Sequence, residues 1–228
     1  MQKITSTNPS TWAEIWSIEI TQKEQLWEIC KTSQKAQKSW GKLSVSERKD
    51  ILEKVYEMFL IKKEELAKSI SVEMGMPILQ ARDEVEYGYM YFRWYLQMCE
   101  DALKSYTTKE TETELHRVFY EPKWVVAAIA PWNYPFSMCI WTSIQALLAG
   151  NCVIFKTSKE VILTGKLIAD IFSQSELPHG IFQEIYGSGE LWDTLLEEDI
   201  DMVTFTGSTE VGRHIYTKAA QKLIPCVM

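Results

Sequence analysis

Histidine is scarce in this 228-residue sequence, and cysteine, though present, is placed in a way that rules things out. The three histidines, at 116, 179 and 214, are far apart in the chain, so no metal site is expected. The five cysteines (Cys30, Cys99, Cys139, Cys152 and Cys226) are odd in number, widely separated and without a C-x-x-C pair. That excludes a disulfide framework and fits buried, reduced thiols in a cytoplasmic protein. Positive charge is also short: 24 Lys and Arg against 31 Asp and Glu leave a net charge of −7, with the basic residues scattered. A nucleic-acid partner is therefore not expected. No apolar run approaches the roughly 18 residues that cross a membrane, and the first residues lack the apolar core of a signal peptide. Internal repeats and low-complexity linkers are absent as well. What the chain does have is apolar bulk, 46% of residues, with 9 Trp, 10 Tyr and 8 Phe. That is enough for one sizeable core or two small ones.

Read in order, residues 1–20 look irregular, with a turn at Asn8-Pro9-Ser10. Helices then dominate to about residue 105. Thr21 is a candidate N-cap for a helix through Trp40 closed by Gly41, and Ser44 with Glu47 fits a capping box. Ile51, Leu52, Val55, Met58 and Phe59 recur at helical spacing and read as core. Glu64 to Met74 forms a helix closed by Gly75 and Pro77. A long helix from Ile78 to Lys104 carries Val85, Tyr89, Phe92, Trp94, Leu96 and Cys99, an aromatic density that predicts two covered faces. Residues 105–120 are Thr-rich and alternating, as in exposed strands.

From residue 124 the pattern changes to alternating strands and helices, the signature of parallel βαβ units. Trp124 to Ala130 is apolar and partly β-branched, a strand buried on both faces that Pro131 ends. Pro135 blocks an early restart. Between the prolines, Trp132, Asn133 and Tyr134 lie on a stiff loop at the carboxyl end of a strand, where open α/β sheets bind ligands. Asn133 can offer its amide to a developing oxyanion, or can simply hold the turn. Further strands are expected at Cys152–Phe155, Phe182–Tyr186, Met202–Phe205 and from Leu223, with helices at about 136–149, 161–174, 191–196 and 208–220.

Ala130-Pro-Trp-Asn-Tyr-Pro-Phe136 resembles the signature loop of the NAD(P)-dependent aldehyde dehydrogenase superfamily. Seven residues with two prolines and a tryptophan make a far more specific motif than a lone glycine pattern. The resemblance implies that Asn133 donates to the oxyanion of a thiohemiacetal and that Trp132 lines the cofactor site. Glu73-Met-Gly75 and Glu84-Val85 are also similar to the family, whose helical layer packs on the nucleotide-binding sheet. The implied fold is α/β: a parallel-sheet, Rossmann-like NAD(P)-binding core over 121–228, an N-terminal helical layer over 1–105, and an arm over 106–120 that joins an oligomerisation sheet. Without the resemblance, that arm reads as a solvated hairpin.

Three further segments bear on a cofactor. Thr206-Gly-Ser-Thr-Glu-Val-Gly212 follows a strand and opens a helix, so free N–H groups there can take an anion; read alone, it is equally a plain capped helix. It resembles the family's Phe-Thr-Gly-Ser-x-x-x-Gly motif, which implies that Gly207 and Ser208 meet the pyrophosphate and Val211 the adenine. Gly187-Ser-Gly189 is by itself only a turn, with Trp192 in place of the third glycine of the dinucleotide fingerprint; in the family, a Gly-x-Gly at this point lies beside the adenosine. Lys156 at a strand end is by itself an ordinary solvated lysine. Lys156-Thr-Ser158-Lys159 is similar to the family's Lys-Pro-Ser-Glu, whose Lys and Glu hold the adenine ribose. Here Lys159 replaces the acid. A carboxylate holds a ribose 2′-hydroxyl and repels a 2′-phosphate, and a lysine reverses that preference, so the expected cofactor, NAD or NADP, leans to NADP.

Other departures are Trp124 and Ala127, where the family usually has small glycines, and the last residues, Leu223 to Met228. In the family that strand runs into Glu-Leu-Gly-Gly, whose Glu is the general base, and the nucleophilic Cys comes later. Neither is present, and none of the five cysteines is expected to substitute. The expectation is a truncated cofactor-binding portion of an aldehyde-oxidising enzyme, inactive alone, that meets a small aldehyde only when the missing half is supplied. The competing expectation is a non-catalytic interaction module, or half of a split enzyme, forming a homo-oligomer or binding a second polypeptide through surfaces left uncovered.

Overall fold

The computed structural model describes residues 2–228; Met1, the first residue of the expected helical layer, lies outside them. The chain opens with an antiparallel hairpin, β1 (Lys3–Thr7) and β2 (Glu14–Glu19), in the register Lys3↔Glu19. This corrects the irregular reading of residues 1–20. The expected turn at Asn8 is present, with Asn8 Oδ1 accepting from Ser10 N at 2.8 Å. The flanking strands escape pattern reading because they are mostly Lys, Thr, Ser and Glu; the hairpin packs on a later helix.

Four helices follow: α1 (Lys23–Trp40), α2 (Val45–Ile61), α3 (Lys63–Met74) and α4 (Ile78–Ala102). Gln22, not Thr21, caps α1, through a reciprocal bond with Gln25; Thr21 Oγ1 instead accepts from Tyr186 N at 3.0 Å. The Ser44–Glu47 capping box is present at α2. Gly75 ends α3 at φ 69°, a left-handed conformation that suits glycine. On α4, Val85, Tyr89, Phe92, Leu96 and Cys99 are buried, but Tyr87, Met90, Trp94 and Met98 are exposed. Only one face of α4 is covered, so its aromatic density does not predict two. Strands β3 (Tyr106–Glu110) and β4 (Leu115–Val118) then form an antiparallel hairpin that is exposed along nearly its whole length.

The remainder is a parallel sheet of five strands in the order β7-β6-β5-β8-β9: β5 (Val125–Ile129), β6 (Cys152–Lys156), β7 (Phe182–Ile185), β8 (Met202–Phe205) and β9 (Cys226–Val227). Between them run α5 (Pro135–Leu148), α6 (Ile162–Gln174), α7 (Gly189–Leu195) and α8 (Thr209–Gln221). Strand residues alternate faces, and both faces are apolar, so the sheet has two cores. Ala128, Val153 and Phe155 join Phe59, Phe92, Phe136 and Phe172 under α2–α6. Val125, Ala127, Ile129, Ile154, Val203 and Phe205 meet α1, α7 and α8 on the other side. Pro135 sits at the first helical position of α5, where its missing N–H costs nothing. It starts that helix rather than merely blocking a strand. Trp124 lies outside β5, half exposed at φ 102°, and Asn151 Oδ1 holds its N–H at 3.0 Å. A tryptophan thus occupies a backbone conformation normally left to glycine.

Candidate functional site

The sheet reverses direction at β5. The chain winds outward through β6 and β7, then returns to place β8 on the other side of β5. Ligands of such sheets bind at the carboxyl ends of the strands flanking this reversal. Register brings Phe205, Ile129, Lys156 and Ile185 level with one another. The segments that follow them therefore leave the same edge: Thr206-Gly207-Ser208, Pro131-Trp132-Asn133, Thr157-Ser158-Lys159 and Tyr186-Gly187. Backbone bonds tie these ends together, Thr206 N to Ile129 O at 3.1 Å and Ala130 N to Lys156 O at 3.3 Å.

On this edge the helix starts differ. Glu84, reaching from α4, accepts from Ser137 N at 2.7 Å at the start of α5. Glu73, reaching from α3, accepts from Leu163 N and Thr164 N, both at 2.8 Å, at the start of α6. Both carboxyl groups are buried, so these two helix starts are already occupied by acceptors of the chain's own. At α8, among the described residues, no buried glutamate reaches in from another helix, although its own first turn carries the exposed Glu210. Ser208 Oγ accepts from Val211 N at 3.3 Å, and residues 206–210 are exposed. The start of α8 is thus the free positive end next to the reversal, suited to a phosphate.

Trp132, Asn133 and Tyr134 are exposed on the loop after β5. Among the described residues the Asn133 amide makes no turn hydrogen bond, which leaves its NH₂ available to a substrate oxygen. Lys156 closes β6 rather than following it, and is only 6% exposed, not solvated. Its Nζ donates to Thr157 O at 3.1 Å. Burial pushes its ammonium down to about 8, opposed by Glu184 and reinforced by Lys159. Ser158 is half buried; Lys159 is exposed, 3.6 Å from Glu160. Gly207 has a reason beyond ligand approach, since a Cβ there would stand 2.5 Å from the Phe205 ring. Gly187 is buried with Leu191 close by, and so also serves packing.

Between α7 and α8 lies a cleft of about 460 Å³ lined by Trp192, Val211 and His214 together with the carboxylates of Glu190, Asp193 and Glu210. Trp192 is 8% exposed and meets the His214 ring edge-on at 5.0 Å. Asp193 Oδ1 takes Lys218 at 2.8 Å and His214 at 3.0 Å, and those partners pull its carboxyl below the ordinary range against burial. In the sequence Trp192 stands only where the dinucleotide fingerprint has its third glycine, and nothing local singles out Asp193 or His214. No periodicity marks them, because they meet across two helices. A helix start open to solvent, a buried lysine with one partner and an adjoining cleft that sets the Trp192 and Val211 side chains beside hydrogen-bonding carboxylates together fit an extended dinucleotide whose phosphates lie at the helix start and whose adenosine lies in the cleft. No group of His, Cys, Asp and Glu suited to a metal occurs among the described residues.

The cysteines are not placed for nucleophilic work. All five are free, and burial pushes their thiols up, Cys30 and Cys152 to about 12. Cys139, close in sequence to Asn133, is wholly buried and its thiol lies well above the usual range. On the far side of the sheet, an apolar groove of about 470 Å³ runs between α4, α5 and β8–β9, lined by Trp94, Met98, Val126, Met202 and Val227.

The model of the aldehyde dehydrogenase family matches residues 1–228. Among curated proteins, the chain is 30% identical over 215 residues to the mitochondrial succinate-semialdehyde dehydrogenase of Arabidopsis thaliana, covering 93% of this chain and 41% of that protein. It is 34% identical over 194 residues to the 3,6-anhydro-alpha-L-galactose dehydrogenase of Streptomyces coelicolor, covering 83% and 39%. The NADP-dependent glyceraldehyde-3-phosphate dehydrogenase of Bacillus halodurans, solved with NADP, superposes at a TM-score of 0.92 with 29% identity, covering 99% of this chain and 48% of that one. The NAD-dependent aldehyde dehydrogenase of Sinorhizobium meliloti gives 0.93 with 28% identity, covering 99% and 46%. The chain spans less than half the length of these relatives.

Proposed function

Because the chain belongs to the aldehyde dehydrogenase family, we propose that it is the part of such an enzyme that binds NAD or NADP and presents it to a small aldehyde. The observation that supports this reading best is the alignment of four strand ends beside the free start of α8, with Lys156 buried in the same row. Gly207 and Ser208 take the pyrophosphate, Val211 and Gly187 border the adenosine, and Lys156 and Ser158 hold its ribose. Trp132 walls the nicotinamide end. Lys159, exposed where a carboxylate would favour a 2′-hydroxyl, tilts the site toward a 2′-phosphate and so toward NADP.

When bound, the cofactor supplies a hydride acceptor. Asn133 donates its amide to the oxygen of the attacked carbonyl, where negative charge develops. Because burial keeps all five thiols protonated, none of them supplies the thiolate that aldehyde oxidation needs, and the chain alone is inactive. The organisation follows from the same reading: a helical layer over 1–105, an oligomerisation arm over 106–120, and the cofactor core over 121–228. Five free cysteines support a reducing, cytoplasmic setting. No helix among the described residues is long and apolar enough to cross a membrane.

A second reading, a non-catalytic interaction module, is favoured by the apolar groove between α4, α5 and β8–β9. One experiment separates the two. The purified chain is titrated with NAD and NADP, followed by tryptophan fluorescence. The cofactor reading expects saturable binding, weakened about tenfold (~1.4 kcal/mol) by Ser208→Ala or Lys156→Ala. It also expects Lys159→Glu to move the NADP/NAD affinity ratio about tenfold toward NAD. A chain that melts cooperatively and binds neither dinucleotide would refute it in favour of the module.

A further inference from the structure

Glu184 lies on β7, in register with Phe155 on the neighbouring strand. One of its carboxylate oxygens, Oε2, accepts from the Tyr186 hydroxyl. The other, Oε1, is closed off from solvent and has no hydrogen-bond partner. Room for it exists because residue 165, on α6, is glycine. A Cβ there would stand 2.3 Å from Oε1 and 2.7 Å from Thr157 Cγ2. The same hollow therefore holds the Glu184 carboxyl and the Thr157 side chain, and the Thr157 carbonyl is what Lys156 Nζ reaches. An apolar side chain would fill this space without the cost of an unpaired buried oxygen.

The charged and titratable groups facing Glu184 come from every element around it. Tyr186 directly follows β7, Lys166 and Asp170 are on α6, and Glu73 is on α3. Lys156 on β6 feels both Glu184 and Lys159, on the loop after β6, and Glu19 on β2 with Glu24 and Glu28 on α1 line a cleft that Glu184 also borders. Two of the three lysines are engaged on their own segments, Lys166 by Asp170 and Lys159 by Glu160. Glu73 is committed to the start of α6. Lys156, whose one bond is to a neutral carbonyl, is the cation left for Glu184.

Resting on the cofactor reading above, we propose that Glu184 is a positioning residue for Lys156. Held in the Gly165 hollow, its carboxylate keeps the Lys156 ammonium charged as the pH rises, and so sustains the grip of the site on an anionic adenosine ribose, above all one bearing a 2′-phosphate. The protonation states agree in direction. Burial pushes Lys156 down to about 8 and Glu184 up to about 8, so the carboxylate forms over the range in which the ammonium would otherwise discharge.

The test uses the whole chain and two variants. Glu184→Gln keeps shape and removes the charge. Tyr186→Phe leaves the glutamate but removes the hydroxyl that favours its ionised form. The charge of Lys156 is followed without cofactor by the ¹³Cε resonance of labelled lysine across pH 6–11, assigned with Lys156→Met. NADP and NAD dissociation constants are measured over the same range. Expected is a downward shift of the Lys156 midpoint by about one pH unit in Glu184→Gln, and a smaller one in Tyr186→Phe. NADP binding should weaken about tenfold above the new midpoint, and NAD binding less. A purely structural role for Glu184 predicts altered melting with an unmoved midpoint. That result, with the parent chain still binding a dinucleotide, overturns this inference alone. A parent chain that binds neither dinucleotide overturns the cofactor reading and this inference with it.

Discussion

Removing the Glu73 side chain is expected to destabilise this fold strongly while leaving the two cores untouched. Glu73 is 4% exposed and accepts three hydrogen bonds across the boundary between α3 and α6: from Leu163 N and Thr164 N at 2.8 Å, and from Thr164 Oγ1 at 2.7 Å. In Glu73→Ala the Thr164 hydroxyl keeps Ser69 Oγ, 3.0 Å away, but the two backbone N–H groups lose their acceptor. Each buried orphan costs about 1–2 kcal/mol, and the cavity adds about 1, for a total of about 3–5 kcal/mol. In a chain of this size each kcal/mol lowers Tm by about 2–4 °C, so the melting point should fall by roughly 10 °C. Glu73→Gln retains one acceptor and should cost about half as much. Urea unfolding at neutral pH measures both, with an unchanged m-value showing that the native state is otherwise intact. Because α6 begins just beyond Lys156–Lys159, NADP binding should weaken in parallel. A Glu73→Ala protein within about 1 kcal/mol of the parent would refute the claim that this carboxylate secures the helix.

Other expectations concern pH and backbone strain. Burial holds the Glu84 carboxyl near 7 and that of Glu184 near 8, above the ordinary value of 4.5, so between pH 4.5 and 8 the native state binds more protons than the unfolded chain. Their contribution is complete below about pH 4.5 and is lost as the pH rises. The urea midpoint should therefore fall from pH 6 to pH 9, and Glu184→Gln should flatten that decline. At Trp124, φ 102° penalises any side chain, so Trp124→Gly should be more stable than Trp124→Ala by about 1 kcal/mol, reversing the usual order. Paired thermal melts of the two variants decide this, and equal stability would mean that Asn151 holds the backbone without strain.

Much of the architecture is legible in local pattern. The apolar run Val125–Ile129, the Pro-Trp-Asn-Tyr-Pro loop, the Ser44–Glu47 box and Gly75 each announce themselves, because strand burial, ring constraint and cap chemistry act over a few residues. The loop and the Thr206–Gly212 segment were enough to place the chain in its family, and the alternation after residue 124 was enough to call a parallel sheet. The β1–β2 hairpin was not legible, since its strands are largely polar and the helix they pack on, α6, lies far along the chain. Nor was the uncovered face of α4, because a helix with apolar residues all round does not declare which side has a partner.

For the site, sequence alone determined which residues stand at strand ends and helix starts, since those depend on the order of short-range signals. Tertiary structure decided which of them carry unusual chemistry. Lys156 reads as an ordinary solvated lysine, yet it is buried. Glu184 reads as a polar residue in a strand, yet Gly165, nineteen positions earlier, makes room for its carboxyl. Glu73 and Glu84 act on helix starts 90 and 53 residues away. The electrostatic character of a side chain depends on how much water its surroundings exclude and on which partners they leave it. Both are set by elements brought together from distant parts of the chain, and no local window contains them.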